Sequence, residues 1–294
     1  MKTAAEYSPY KPNYLTINGH QYHYINEGEG DPVVMVHGNP SWSFYYRNLV
    51  AQLKADHQTI VPDHIGMGLS DKPSDKHYNY TLEQRIDDLS ALLKHLGINK
   101  NITLVVHDWG GMIGMGYAAR HPQQIKQIVA LNTAAFHLPN SKRLPKRLWL
   151  GRNTFVGECM IRGINAFSSL ASHIGVKRKP MDAEIRQAYV APYNNWKNRI
   201  ATVRFVQDIP LKPGDKAYPI VSSIESSLQQ FKNIPVFLGW GMLDFVFDQH
   251  FLHRWQAHFP QAQVHKYPDC GHYVLEDAQE ELVPLICKFI RQHP

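Results

Sequence analysis

Three separated stretches of the 294-residue chain hold residues whose types and order suit covalent chemistry. The apolar run at 102–106 leads straight into His107-Asp108-Trp109-Gly110-Gly111, and a helix-like stretch follows at 112–120. A buried strand that delivers a polar residue into a sharp turn before a helix is the setting of a nucleophile elbow. Gly110 and Gly111 let such a helix lie close to the strand, whereas Val106 occupies a position that the G-x-S-x-G form of the elbow gives to glycine. Aspartate is also a frequent helix N-cap, so Asp108 has a purely structural alternative. Further on, Asp244 follows an apolar strand at 236–238 and the turn at 239–241. His272 follows a strand at 264–267, within Asp269-Cys270-Gly271-His272. Asp248, the rival acid, is placed to cap the helix after it.

The nucleophile type limits the reaction. A carboxylate with a reference pKa of about 3.9 is already charged at neutral pH. It attacks a saturated carbon directly and leaves an ester. His272 would then act as general base on the water that cleaves the ester. Asp244 would fix the imidazole tautomer and stabilise its charge. A departing anion needs uncharged donors, and Trp109 offers an indole N–H and Asn39 an amide. Asn39 sits in His37-Gly38-Asn39-Pro40, directly after an apolar run at 32–36. Each has a plainer reading, Asn39 as a turn residue before proline and Trp109 as core. Together they fit one halide or oxyanion pocket.

These residues must be carried on the ends of strands. Runs at 14–17 and 21–25 flank Asn18-Gly19, a hairpin signal. Short apolar runs at 32–36, 59–62, 102–106 and 128–131 alternate with helical patterns, as in a parallel sheet covered on both faces. At 81–96, Leu82, Ile86, Leu89, Leu93 and Leu96 keep helical spacing, Thr81 and Gln84 fit a capping box, and Gly97 sits at C′. The alternation resumes after Ser222, with a strand at 235–238, a helix at 248–259, the strand before His272 and a helix at 279–291. The expectation is an α/β protein with a mostly parallel central sheet, helices on both faces and an inserted helical cap. Residues 1–136 and 216–294 would form the core and 137–215 the cap. Within the cap, 159–170 and 182–190 read as helices. The order nucleophile, acid, histidine is the chain order of α/β-hydrolases.

The cap also explains the charge. The chain is +6 overall, but 137–215 holds 14 Lys+Arg against 5 Asp+Glu, a balance of +9, and the remainder is −3. A basic insertion on an acidic core is not the footprint of nucleic-acid binding. Lys177-Arg178-Lys179 reads as a solvated corner, with contact to an anionic membrane surface or to an acidic partner enzyme as the functional alternatives. Cys159, Cys270 and Cys287 are odd in number and lack C-x-x-C spacing, so neither a disulfide framework nor a zinc site is expected. No cofactor is expected. Without a leader-like start or an 18-residue apolar run, the expected compartment is the cytoplasm.

The motifs His37-Gly38-Asn39-Pro40, Asp63-His64-Ile65-Gly66-Met67-Gly68-Leu69-Ser70 and His107-Asp108-Trp109-Gly110-Gly111 resemble those of haloalkane dehalogenases. That resemblance implies Asp108 as nucleophile, Trp109 and Asn39 as halide binders, and Asp244 with His272 completing the triad. Some relatives carry the acid after the earlier strand, but Leu131-Asn132-Thr133-Ala134 has none there, which favours Asp244. Segments at 132–139, 165–169 and 188–211, including Tyr193-Asn194-Asn195-Trp196-Lys197-Asn198-Arg199, are similar to the olefin-biosynthesis branch of the family. That branch implies decarboxylation of a β-lactone to a long-chain cis-alkene, with the same Asp nucleophile, and a multi-enzyme assembly as a partner for the basic cap surface. The substrate is then a small apolar molecule, a haloalkane or a long-chain β-lactone. Ile161, Ile164, Phe167 and Leu170 are candidates for an apolar channel, with helix packing as the plainer role. An epoxide hydrolase is the alternative on the same nucleophile, using cap tyrosines such as Tyr189 and Tyr193. A non-catalytic module that binds an apolar ligand or serves as a scaffold is the alternative of another class.

Overall fold

The computed structural model describes residues 2–293. Eight strands form one sheet: β1 (Asn13–Ile17), β2 (His20–Glu27), β3 (Pro32–Val36), β4 (Gln58–Pro62), β5 (Ile102–Asp108), β6 (Ile125–Thr133), β7 (Val236–Gly241) and β8 (Gln263–Tyr267). Their spatial order is β1-β2-β4-β3-β5-β6-β7-β8. Only β1 and β2 run antiparallel to their neighbours. From β4 to β8 all pairings are parallel. Period-two alternation splits each central strand between two cores. Val34, Val36, Leu104 and Val106 join one apolar cluster. Val33, Met35 and Val105 join the other. Both faces must therefore be covered by helices.

The local signals hold in most places. Asn18 and Gly19 both have positive φ, as a two-residue hairpin turn requires. Helix Leu82–His95 starts at Thr81, whose hydroxyl accepts from the Gln84 N–H. Only half of the expected capping box forms, because the Gln84 side chain donates to Asp88 Oδ1 at 3.0 Å instead. Asp248 caps helix Gln249–His258, its side chain accepting the His250 N–H. Helices Arg47–Leu53 and Tyr218–Ser227 went unread in the sequence.

Between β6 and β7 the chain is helical, with no strand among the described residues. The expected helix at 159–170 is instead two, Phe155–Gly163 and Ala166–Ile174, broken where Asn165 takes the left-handed conformation. Asparagine tolerates that conformation better than most side chains. Three of the cap's fourteen cations tie it to the core. Arg178 pairs with Asp269 and Glu281, Arg204 with Asp75, and Lys142 with Asp248. The corner at 177–179 is thus partly a clasp, with Arg178 engaged rather than simply solvated.

Candidate active site

The site is built on the carboxyl ends of β3, β5 and β7 and the loop after β8. At the end of β5, Asp108 has φ +51° and ψ −127°. A non-glycine residue held there stores about 1–3 kcal/mol of strain, sustained only by its surroundings. Two of those surroundings are glycines. A Cβ on Gly110 would lie 1.8 Å from the Val36 carbonyl oxygen, so the helix after the turn can approach β3 only without a side chain. A Cβ on Gly38 would lie 2.1 Å from Asp108 Oδ1. The Val106 side chain that departs from the elbow pattern is accommodated by Gly114 in the following helix.

Asp108 makes no capping bond to helix Trp109–Arg120. Its Oδ1 accepts the Asn39 backbone N–H at 2.6 Å. Its Oδ2 lies 3.6 Å from His272 Nε2. Burial pushes its carboxyl above the usual range, opposed by His272 and by the backbone N–H groups of Asn39 and Trp109. One carboxylate oxygen is thus held by the Asn39 N–H, while the other faces His272.

His272 Nδ1–H donates to Asp244 Oδ2 at 2.8 Å. Burial opposes charge on the imidazole, but Asp244 first and Asp108 second outweigh it and raise its pKa above 6.5. Asp244 is fixed in turn by the Val246 N–H at 2.8 Å and the Asn132 amide at 3.1 Å. The carbonyl of the same Asn132 side chain accepts the Gly241 N–H at 2.8 Å. Asn132 lies in Leu131-Asn132-Thr133-Ala134, the strand end without an acid, and no local pattern signals its contact with Asp244. His107 was also missed. It is fully buried and kept neutral by that burial, and its Nε2–H donates to the His272 carbonyl at 2.9 Å. Its place beside Asp108 in the motif was the available signal.

The two expected anion donors differ. Both line one cavity with Asp108 and His272. The Trp109 indole N–H donates to no protein group among the described residues. The Asn39 amide donates to the Thr202 carbonyl of the cap at 3.0 Å, so one of its two hydrogens is already engaged. The cavity, about 150 Å³, is otherwise walled almost wholly by apolar side chains, among them Met112, Phe136, Leu148, Phe167, Val206 and Phe247. Of the four channel candidates, Phe167 and Leu170 line it. Ile161 instead packs with Leu148, Val203 and Val206, and Ile164 is 75% exposed, because the break at Asn165 reorients the chain. Tyr189 and Tyr193 do not reach the cavity. Tyr189 donates to Glu276 and Tyr193 to the Ser41 carbonyl, so the epoxide-hydrolase alternative loses its cap tyrosines. Among the described residues there is no cluster of three His, Cys, Asp or Glu able to hold a metal, and no helix long and apolar enough to cross a membrane.

The chain matches the family model of the alpha/beta hydrolase fold over residues 31–279. It is 63% identical over 284 residues to the cis-3-alkyl-4-alkyloxetan-2-one decarboxylase of Shewanella oneidensis, covering 97% of this chain and 89% of that protein. A protein of the same name from Xanthomonas campestris is 52% identical over 92% of both chains. Haloalkane dehalogenase 2 of Mycobacterium tuberculosis is 26% identical over 95% of this chain and 94% of its own. Among solved structures, a haloalkane dehalogenase from Bradyrhizobium elkani superposes with a TM-score of 0.84 at 25% identity, covering 96% and 98% of the two chains. One from Agrobacterium tumefaciens gives 0.86 at 22% identity over 99% of both, a likeness of fold.

Proposed function

The chain belongs to the alpha/beta hydrolase fold family, as an enzyme of the haloalkane dehalogenase type, and on that premise we propose that it decarboxylates cis-3,4-dialkyl β-lactones with Asp108 as nucleophile. The observation that carries the nucleophile is the Asp108 carboxylate itself. It caps no helix, has one oxygen on the Asn39 N–H, and lies at the floor of an apolar cavity. The relatives' names support the lactone as substrate.

In the first step Asp108 Oδ2 attacks ring carbon C4. The C4–O bond breaks, and its electrons leave on the ring carboxylate, giving an alkyl ester on Asp108 with inversion at C4. The Trp109 indole N–H and the remaining Asn39 amide hydrogen are the donors for the departing carboxylate. In the second step the bond from C3 to the carboxylate breaks and releases carbon dioxide. Its electrons form the C3=C4 bond and expel Asp108, whose charge returns to the backbone N–H groups of Asn39 and Trp109. Inversion followed by anti elimination gives the cis-alkene, and no water is consumed. With a haloalkane the same attack expels halide, and the ester has no carboxylate to lose. His272, held by Asp244, then activates water to hydrolyse it.

Purified protein offered a 1-bromoalkane and a dialkyl β-lactone in the same buffer tests the reading, with bromide and alkene quantified together. Alkene in excess of bromide is expected. Replacing His272 with phenylalanine should trap an alkyl ester on Asp108 during reaction with the bromoalkane, visible as added mass. Absence of any adduct, together with full activity of Asp108→Ala, would refute the nucleophile.

A further inference from the structure

The outer face of the cap exposes a set of large apolar side chains. Phe155 is 79% exposed and Ile164 75%, and Trp149, Leu150, Val156 and Met160 are exposed beside them in sequence. Val156 and Met160 are spaced by four on one side of helix Phe155–Gly163, and Ile164 follows at its C-cap. Helices Lys146–Asn153 and Phe155–Gly163 cross closely, since a Cβ on Gly157 would lie 2.3 Å from the Leu150 carbonyl oxygen. Single exposed apolar residues are ordinary, but a grouped set rimmed by charge marks an interaction surface.

Most of the charges in this stretch are positive. Between residues 142 and 174 there are six Lys+Arg and a single acid, Glu158. Glu158 is already engaged by Arg162 and Arg204. Arg143 and Lys146 are exposed and have no acidic partner among the described residues. The same region holds the rim of the cavity, because Arg147, Leu170 and Phe245 both line it and are exposed.

We propose that this face of the cap docks on an anionic lipid surface, seating Trp149, Phe155, Val156 and Ile164 in the interfacial layer with Arg143 and Lys146 against the headgroups. An exposed apolar row flanked by unpaired cations is the pattern of interfacial binding. A lipid layer offers the extended negative charge that these cations face, and its apolar interior accepts the aromatic side chains. With the cavity rim in the same region, an apolar substrate would enter from the lipid without crossing water. The surface stands on its own geometry and requires no particular reaction at Asp108.

Co-sedimentation of the full chain with vesicles tests this, comparing phosphatidylcholine alone with phosphatidylcholine containing phosphatidylglycerol. Binding is expected only with the anionic lipid, and it should weaken with salt. Arg143→Gln and Lys146→Gln should each lower partitioning about fivefold. Phe155→Ser with Ile164→Ser should abolish it. All these variants should release bromide from a short, soluble 1-bromoalkane at the wild-type rate, which shows that they fold and that the site is intact. Wild type left in the supernatant with anionic vesicles overturns the proposal, as does equal binding by the variants. A dimer converted to monomer by Phe155→Ser with Ile164→Ser, in a protein that ignores vesicles, assigns the face to a second copy instead. None of these failures would alter alkylation at Asp108.

Discussion

Replacing Gly38 with alanine places a methyl group against the proposed nucleophile without replacing any ionisable residue. The new Cβ would lie 2.1 Å from Asp108 Oδ1, 2.4 Å from its Cβ and 2.6 Å from its Cγ, where ordinary contact begins at 3.4 Å. The shortfall to Oδ1 is thus 1.3 Å. The obstacle is steric, because Gly38 does not have positive φ. The Asp108 carboxylate is the group that must give way, and moving it about 1 Å breaks its 2.6 Å bond from the Asn39 N–H. A misplacement of that size costs on the order of 100-fold in rate. Overpacking of this kind costs about 1–3 kcal/mol in stability. The assay is the rate of alkyl-ester formation with excess 1-bromoalkane, followed by intact mass, beside thermal unfolding of the same sample. Gly214→Ala is the control, since a Cβ there meets nothing within 4 Å. Gly38→Ala forming the ester within about threefold of the wild-type rate would show that the contact does not position Asp108, against the ~100-fold loss expected.

Asp244→Asn should lower bromoalkane hydrolysis by on the order of 10⁴-fold by removing the acceptor that fixes the His272 tautomer, while ester formation in the first turnover changes far less; equal losses in both phases would contradict the assignment. Water activation needs neutral imidazole, and the His272 pKa is raised, so bromide turnover should fall as pH is lowered toward 6.5, with the acid limb above that value; a limb at or below 6.5 would contradict it. The raised value also means that the charge interactions of His272 stabilise the fold fully below its unfolded pKa. That contribution is lost as pH rises through the folded one, so the difference in Tm between wild type and His272→Gln should narrow with rising pH. Arg85 is fully buried, 3.1 Å from Asp208 at the end of cap helix Ile200–Gln207 and 3.6 Å over the Phe205 ring. Arg85→Met should cost about 3–5 kcal/mol in urea unfolding, because Asp208 is left buried without its cation. Adding Asp208→Asn should restore part of that loss, and a single-variant loss below about 1 kcal/mol would show that the pair does not secure the cap.

Much of this molecule follows from local sequence. Period-two alternation in apolar runs of strand length separates two cores, and the Asn18-Gly19 turn and the Thr81 cap need only their neighbours. The elbow is legible because the turn at Asp108 is followed by Gly110 and Gly111, where a side chain would not let the helix pack against the sheet. The order of Asp108, Asp244 and His272 is also legible, since each lies at or just after the carboxyl end of a strand. Their mutual distances, and the partners that hold them, were not. Asn132 reaches Asp244 from a different strand, and His107 reaches the His272 carbonyl across 165 positions of chain. The exposure of Ile164, the burial of Ile161 and the withdrawal of Tyr189 and Tyr193 from the cavity depend on how the cap helices break and pack. Residue type and short-range spacing determine which groups are offered at the strand ends. Which of them meet, and which side chains face cavity, core or solvent, is decided by contacts between segments far apart in the chain, and no local pattern encodes those.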